Sequence, residues 1–303
     1  VASVNINPSL AWKLSDELSI GAGLSVQYLD ATLSNAVDSG AVCLGTAPNN
    51  AARAECVKAG LTAANLEKDS FAEVSGDSWA FNFNLGLLYK FNPRTRVGLA
   101  FRSEINHELE GEADFDVDPT LQQFLTAAGS TAFTDTDVTA DANLPASLSF
   151  SVSHDLDDKI QLLADITWTQ WSSFEELRVK FDNPAQPDSF TTENWDDVMR
   201  YSIGVNYQHS ETWTFRGGLA FDEEPIPSAE YRTPRIPGND RTWLSFGVGY
   251  RLNSEVSMDF GYSHLFVDET PINHTDESIG HTTRGLYDSS INIFSAQLNW
   301  HFD

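Results

Sequence analysis

The chain has 303 residues, with 44 acidic against 18 basic side chains, a formal net charge of -26, 41% hydrophobic residues, 12% aromatic residues and two cysteines. The aromatic share excludes an intrinsically disordered acidic chain, and the negative charge argues against nucleic acid as a partner. No apolar run approaches the roughly 18 residues of a membrane-spanning helix, and the opening VASVNINPSL lacks the features of a signal peptide.

Taken in chain order, the first expected strand runs from about Ala2 to Leu14 and turns at Ser15-Asp16-Glu17. A long polar segment follows at about 37 to 75. It holds both cysteines and a predicted helix over Ala51 to Leu66, with Val57, Leu61 and Ala64 at helical spacing. Next comes a turn at Asn92-Pro93-Arg94 and a strand in which Val97, Leu99 and Phe101 alternate with Gly98, Ala100 and Arg102. In the segment at about 114 to 144, Asp118-Pro119 reads as an N-cap with proline at the first helical position. Leu121, Phe124, Leu125 and Ala128 then share one face.

From Ser147 to Ser153 every second residue is serine, with Leu148, Phe150 and Val152 between them, so one face of the strand is apolar and the other hydroxylic. Short turns recur at Asp155 to Asp158, His209-Ser210-Glu211 and Asn253-Ser254-Glu255. Long connections recur at about 182 to 197, 223 to 240 and 269 to 288. Leu244, Phe246, Val248 and Tyr250 alternate with Ser245, Gly247, Gly249 and Arg251. The last strand alternates Phe294, Ala296, Leu298, Trp300 and Phe302 with Ser295, Gln297, Asn299 and His301.

About eleven strands result, many near the 9 to 11 residues a tilted strand needs to cross a bilayer. Long antiparallel strands, with tight turns on one edge and long loops on the other, are the signature of an all-β transmembrane barrel. The small and polar face suits a hydrated lumen, and Trp12, Trp168, Trp171, Trp213, Trp300 and Phe302 suit interfacial girdles. A soluble sandwich with core aromatics is the alternative. Ending the last strand on the periplasmic side makes the first run from outside to inside. Bacterial barrels have an even strand count, so the chain is expected to be a single barrel domain over 1–303, incomplete at its start.

The segments NINPSLAWKLSDELSIGAGLSVQY, LPASLSFSVSHDL, ITWTQWSSFEELRV, ETWTFRGGLAFDEEPIP and IPGNDRTWLSFGVGYRL resemble the FadL family of outer-membrane transporters for long-chain fatty acids and aromatic hydrocarbons. The resemblance covers essentially the whole chain and is most specific at Trp213 to Pro227 and Ile236 to Trp243. It implies a fourteen-stranded barrel with an N-terminal hatch, of which this chain holds eleven strands and lacks the hatch. The family ends on an aromatic residue, whereas Asp303 follows Phe302 here. The resemblance also implies passive uptake of hydrophobic molecules through a Gram-negative outer membrane, among lipopolysaccharide, by a monomer without a cofactor. A ligand lodges in an apolar groove between extracellular loops and then passes to a pocket in the lumen.

Leu61, Leu121, Phe124 and Leu125 are the expected groove residues, and Cys43 and Cys56 an expected disulfide on the oxidising side of the membrane. Alternation puts Arg102, Glu104, Asp165, Arg200, Arg216 and Arg241 on the luminal face. Arg102 and Arg216 are candidates to neutralise a ligand carboxylate; an arginine-acid network that fixes the lumen is the alternative. The family's basic residues near the carboxylate correspond to about Asn35 and Thr191, neither basic, which leaves room for an uncharged alkane or monoaromatic. The scattered His264, His274, His281 and His301 lack metal-site spacing. Asp135-Thr136-Asp137 and Asp155 to Asp158 lack a full calcium-loop pattern, and no nucleophile-base motif suggests an enzyme. A hydrated general porin, an outer-membrane phospholipase and a non-transport surface barrel are the other readings.

Overall fold

The alternating segments form one long antiparallel sheet in the computed structural model, which describes residues 1–276 and 281–301. Phe302, Asp303 and the middle of the 269–288 connection lie outside the described residues. The first crossing is β1 (Ala2–Ile6) and β2 (Ser9–Lys13), split where Pro8 removes a ladder donor. Then come β3 (Leu18–Val37) and β4 (Ser70–Asn92). The fourth crossing is β5 (Thr95–Arg102) with β6 (Ile105–Asp116), and the fifth β7 (Thr136–Leu144) with β8 (Ser147–Asp155). The sixth is β9 (Ile160–Thr169) with β10 (Glu176–Phe181), and the seventh β11 (Ser189–Thr192) with β12 (Val198–Gln208). Single strands β13 (Trp213–Asp222), β14 (Arg241–Arg251) and β15 (Val256–Val267) follow. A separate hairpin, β16 (Thr270–Thr275) and β17 (Thr282–Tyr287), precedes the eleventh crossing, β18 (Ser290–Trp300).

Eleven crossings therefore stand side by side, each paired with its sequence neighbour. Among the described residues, the edges of the sheet are β1/β2, which pair with β3, and β18, which pairs with β15. The strands from β12 to β15 and β18 have 10 to 12 residues each, the length a tilted strand needs to cross a bilayer.

The two faces are inverted relative to a soluble protein. Phe81, Ile203, Phe246, Phe260, Phe294 and Leu298 are all exposed on the outer face, Phe294 to 79%. The inner face carries Ser149 hydrogen-bonded to Thr167, Ser151 to Asp165, and Ser245 to Ser263. An apolar outer surface of this extent is stable only against lipid, because each Å² exposed to water would forgo about 25 cal/mol.

β3 and β4, with 20 and 23 residues, rise well past the bilayer, and the outer face records where they leave it. Tyr28 and Trp79 pair across the strands with ring centroids 5.0 Å apart, as interfacial aromatics do. Around and beyond this pair, acids face acids directly: Asp30 with Asp77, Asp77 with Glu110, Glu73 with Asp114, Glu108 with Asp141 and Glu112 with Asp137. Directly opposed like charges are tolerable only in water. Strand thus occupies 70 to 75 and 136 to 144, which were expected to be loop.

The expected helix over 51 to 66 is also corrected. Two helices form, α1 (Ser39–Thr46) and α2 (Asn50–Lys58), capped by the side chains of Asp38 and Asn49. The second stops early because Gly60 takes φ +81°, so Val57 and Ala64 do not share a helical face with Leu61. α3 (Pro119–Ala127) starts as expected. Asp118 Oδ1 accepts from the Thr120 and Leu121 N–H groups at 2.8 and 3.3 Å.

Candidate functional site

On the inner face, cross-strand register aligns Thr167 of β9, Arg200 of β12, Asp222 of β13 and Arg241 of β14 in one row. Asp222 pairs with Arg241 at 2.9 Å. Arg200 has no acid partner among the described residues, and its guanidinium lies 4.7 Å from the ring centroid of Trp243 instead. Two further donors here, Arg241 Nε and Trp243 Nε1, are buried without a hydrogen-bond partner. Unmatched buried donors are uncommon, and each needs an acceptor from elsewhere.

Above this row lies a cavity of about 630 Å³, lined by Arg200, Arg241 and Asp222 below and by Trp171, Trp195, Ile226 and Ile236 above, within the size range of small-molecule pockets. Its roof is a set of interlocked loops. Trp195 stacks edge-on to Trp171 and Phe174 at 4.9 and 5.0 Å, and its indole N–H donates to Glu193 Oε2 at 2.9 Å. Burial pushes the Glu193 carboxyl above its ordinary value, against the Trp195 hydrogen bond and the charges of His274 and Arg235. The 223–240 loop is pinned by a buried pair: Arg232 meets Glu224 at 2.5 Å, donates to Gly238 O at 2.9 Å and also donates to Pro271 O of β16. Burial pushes the Glu224 carboxyl up, and Arg232 opposes it.

The expected loop groove is closed. Leu61, Leu121 and Leu125 are 0 to 1% exposed and pack against each other with Cys43 and Cys56, so they fill the contact between the two loops. Phe124 is half-buried at the edge of that contact. Cys43 and Cys56 form a disulfide, S–S 2.02 Å, within the same core.

Of the two candidate arginines, Arg216 is neutralised by Asp259 at 2.7 Å, and Asp259 also accepts from Asn299. This is the network alternative. Arg102 has no acid partner among the described residues and lines a second cavity. Glu104 falls in the break between β5 and β6 rather than on a strand face. Trp171, expected in the girdle, turns into the pocket, while Tyr28 and Trp79 supply girdle positions not anticipated. No cluster of metal-ligand type occurs among the described residues.

Trp195, Trp243, Ile226 and Ile236 were missed. Trp243 was within reach, because the alternation that places Ser245 and Gly247 inward places Trp243 inward too. The other three sit in loops, where period carries no information.

A sheet that is apolar outside and polar inside, with a roofed pocket on its inner side, defines the wall of a β-barrel of the outer-membrane type. The chain belongs to the outer membrane protein transport protein family (OMPP1/FadL/TodX), whose family model matches residues 1–302. It is 31% identical over 267 residues to the long-chain fatty acid transport protein of Escherichia coli O6:H1, covering 87% of this chain and 58% of that protein. Its fold superposes on the crystal structure of a Pseudomonas aeruginosa FadL homologue with a TM-score of 0.86 at 27% identity, over 98% of this chain and 67% of that one. The Ralstonia pickettii toluene transporter TbuX shares the fold alone, with a TM-score of 0.66 at 22% identity, over 99% of this chain and 68% of that one. The chain spans well under two thirds of the E. coli O6:H1 relative's length. These relatives are named for transport, not catalysis.

Proposed function

We propose that the protein carries hydrophobic small molecules inward across the outer membrane without catalysis, and that its preferred ligands are long-chain fatty acids. The observation that supports this most is the donor set on the inner wall, Arg241 Nε and Trp243 Nε1 buried without an acceptor and Arg200 exposed without an acid partner among the described residues, beside an apolar roof of tryptophan and isoleucine. An alkane or toluene would leave those donors unmatched, whereas a carboxylate accepts from them. Charge-assisted hydrogen bonds contribute about 1.5–3 kcal/mol each, and every methylene removed from water adds about 0.8 kcal/mol. The name of the E. coli O6:H1 relative points to the same ligand class.

Capture between the loops would require the α1 and α3 contact to open, because Leu61, Leu121 and Leu125 are fully buried. Phe124 is the expected groove residue a ligand reaches without that opening. The apolar outer face meets lipid, and the acidic crown above Tyr28 and Trp79 stands in the aqueous head-group region of lipopolysaccharide.

The test compares hexadecanoate with hexadecanol for the protein in its own outer membrane. Arg200→Gln is expected to weaken hexadecanoate binding and uptake at least tenfold and to change hexadecanol by less than twofold. Equal loss for both, or preference for hexadecanol in the unaltered protein, would assign the pocket to uncharged hydrocarbons. Porin-level conductance to sugars and ions would overturn the transport reading altogether.

A further inference from the structure

The outer face of the sheet meets lipid whatever occupies the lumen, and it is not apolar throughout. Cross-strand register carries one outer row through Ala164, Ile203, Leu219 and Leu244 and ends it in His264 of β15 and Asn292 of β18. The adjoining row ends in Thr242, Phe266 and Ser290, so polar side chains gather at this one corner of β14, β15 and β18. The other outward histidine, His154, lies at the turn end of β8, where Thr95 Oγ1 partners its Nδ1 at 2.9 Å.

His264 and Asn292 stand near the long-loop ends of their strands. The short-turn ends, Val256 and Trp300, are eight residues away, or about 20 Å along the membrane normal for strands tilted by about 40°. The apolar band of such barrels is about 25 Å tall, so the two side chains face the outer leaflet where its acyl chains join their head groups.

Asn292 Oδ1 accepts from Tyr262 Oη at 2.8 Å and from His264 Nδ1 at 2.9 Å. Two donors use both lone pairs of that oxygen, and they fix the imidazole proton on Nδ1. What remains is a complementary couple: the Asn292 amide N–H groups, which donate, and His264 Nε2, which accepts. Neither has a hydrogen-bond partner among the described residues, and polar groups facing hydrocarbon are costly unless matched. Below the couple the wall is apolar again. Tyr262 and Phe294 pair with ring centroids 5.0 Å apart, and beneath them the small Ala296, opposite Phe260, leaves a notch between the exposed Phe294 and Leu298.

We propose that His264, Asn292 and Tyr262 form a lipid site on the outer wall, whose occupant is an outer-leaflet glycolipid with amide-linked, hydroxylated acyl chains, the chemistry of lipopolysaccharide. An amide or a hydroxyl at the head of an acyl chain supplies an acceptor for Asn292 and a donor for His264 Nε2 at once. At that depth a phospholipid presents ester oxygens, which only accept and leave Nε2 unmatched. The acyl chain descends past Phe294 over Ala296. The site is separate from the pocket under Trp195 and from its cargo.

The test is native mass spectrometry of the intact protein, extracted from its outer membrane, stripped of lipid in detergent and incubated with lipid A or with phosphatidylethanolamine. The unaltered protein is expected to retain one lipid A per chain and to release phosphatidylethanolamine. Asn292→Leu and His264→Phe make the corner apolar, which suits folding in lipid, and each should weaken lipid A retention at least tenfold. Ala296→Phe fills the notch without altering the polar groups and should weaken it severalfold. Hexadecanoate binding should be unchanged in all three, and heat-modifiable electrophoretic mobility establishes that each folds. Lipid A held by the polar-corner variants as firmly as by the unaltered protein, or not held by the unaltered protein at all, overturns the proposal. Phosphatidylethanolamine held equally well and lost in the same variants overturns the glycolipid assignment in favour of a phospholipid, and a dimer that those variants dissociate overturns it in favour of a second copy of this chain.

Discussion

Two places in this molecule collect apolar side chains away from lipid, and they are opposites. The loop core of Cys43, Cys56, Leu61, Leu121 and Leu125 is sealed, and every group in it has found a partner of its own kind. The luminal pocket under Trp195 is incomplete by the same standard, since Arg241 Nε on its wall and Trp243 Nε1 beside it are buried without an acceptor, and Arg200 on the same wall has no acid partner among the described residues. Burial in the first place leaves nothing to be satisfied. Burial in the second leaves hydrogen-bonding capacity that only an added molecule, water or ligand, can meet. A ligand site is thus marked less by how apolar its walls are than by what they leave unmatched.

The comparison breaks most decisively at Leu125. Replacing it with Asp would place an unpaired carboxylate in a core that is 1% exposed there and should destabilise the loop contact by about 3 kcal/mol or more. Limited proteolysis within residues 38–69 is expected to become rapid, while hexadecanoate affinity of the luminal pocket stays within twofold. A large loss of affinity with the loop still resistant to protease would move ligand capture back to the α1 and α3 contact. A somewhat smaller effect is expected on removing the disulfide by joint Cys43→Ser and Cys56→Ser substitution. Closing a loop of this length is worth about 3 kcal/mol, so proteolysis should accelerate in the same segment, again without a change in luminal binding.

The same contrast explains what the sequence disclosed. Alternation reports which face of a strand a residue takes, so eleven crossings, the inner arginines and the α3 N-cap at Asp118-Pro119 were all legible. Alternation does not report partners. Arg102 and Arg216 are equivalent in period, and only the position of Asp259 separates them. Amphipathic spacing at Leu121 and Leu125 signalled burial but not against what; in this structure they pack against the disulfide loop. The helix end at Gly60 and the inward turn of Trp171 depend on a positive φ and on loop packing, which have no period to read.

The finest test concerns the roof of the pocket, where Glu193 is buried and holds the indole of Trp195. Burial raises its folded-state pKa, while the hydrogen bond from Trp195 and the charges of His274 on β16 and of Arg235 in the 223–240 loop act the other way without prevailing. A carboxyl whose folded value lies above its unfolded value, about 4.3, is protonated more readily in the folded roof. The roof is therefore firmest below the unfolded value and loosens as pH rises through the folded one. Glu193→Gln can keep the acceptor for Trp195 but cannot ionise, so it is expected to firm the roof slightly at pH 8 and to leave it unchanged at pH 4. Hydrogen exchange over residues 189–198, corrected for intrinsic rates, would register that difference. The loop core offers the control: its five buried residues carry no ionisable side chain in the folded state, so exchange there should not follow the same pH window. A Glu193→Gln roof that loosens at pH 8 would mean that the Trp195 hydrogen bond and the charge of Arg235 outweigh burial, and the roof would then be held by the ionised carboxylate rather than in spite of it.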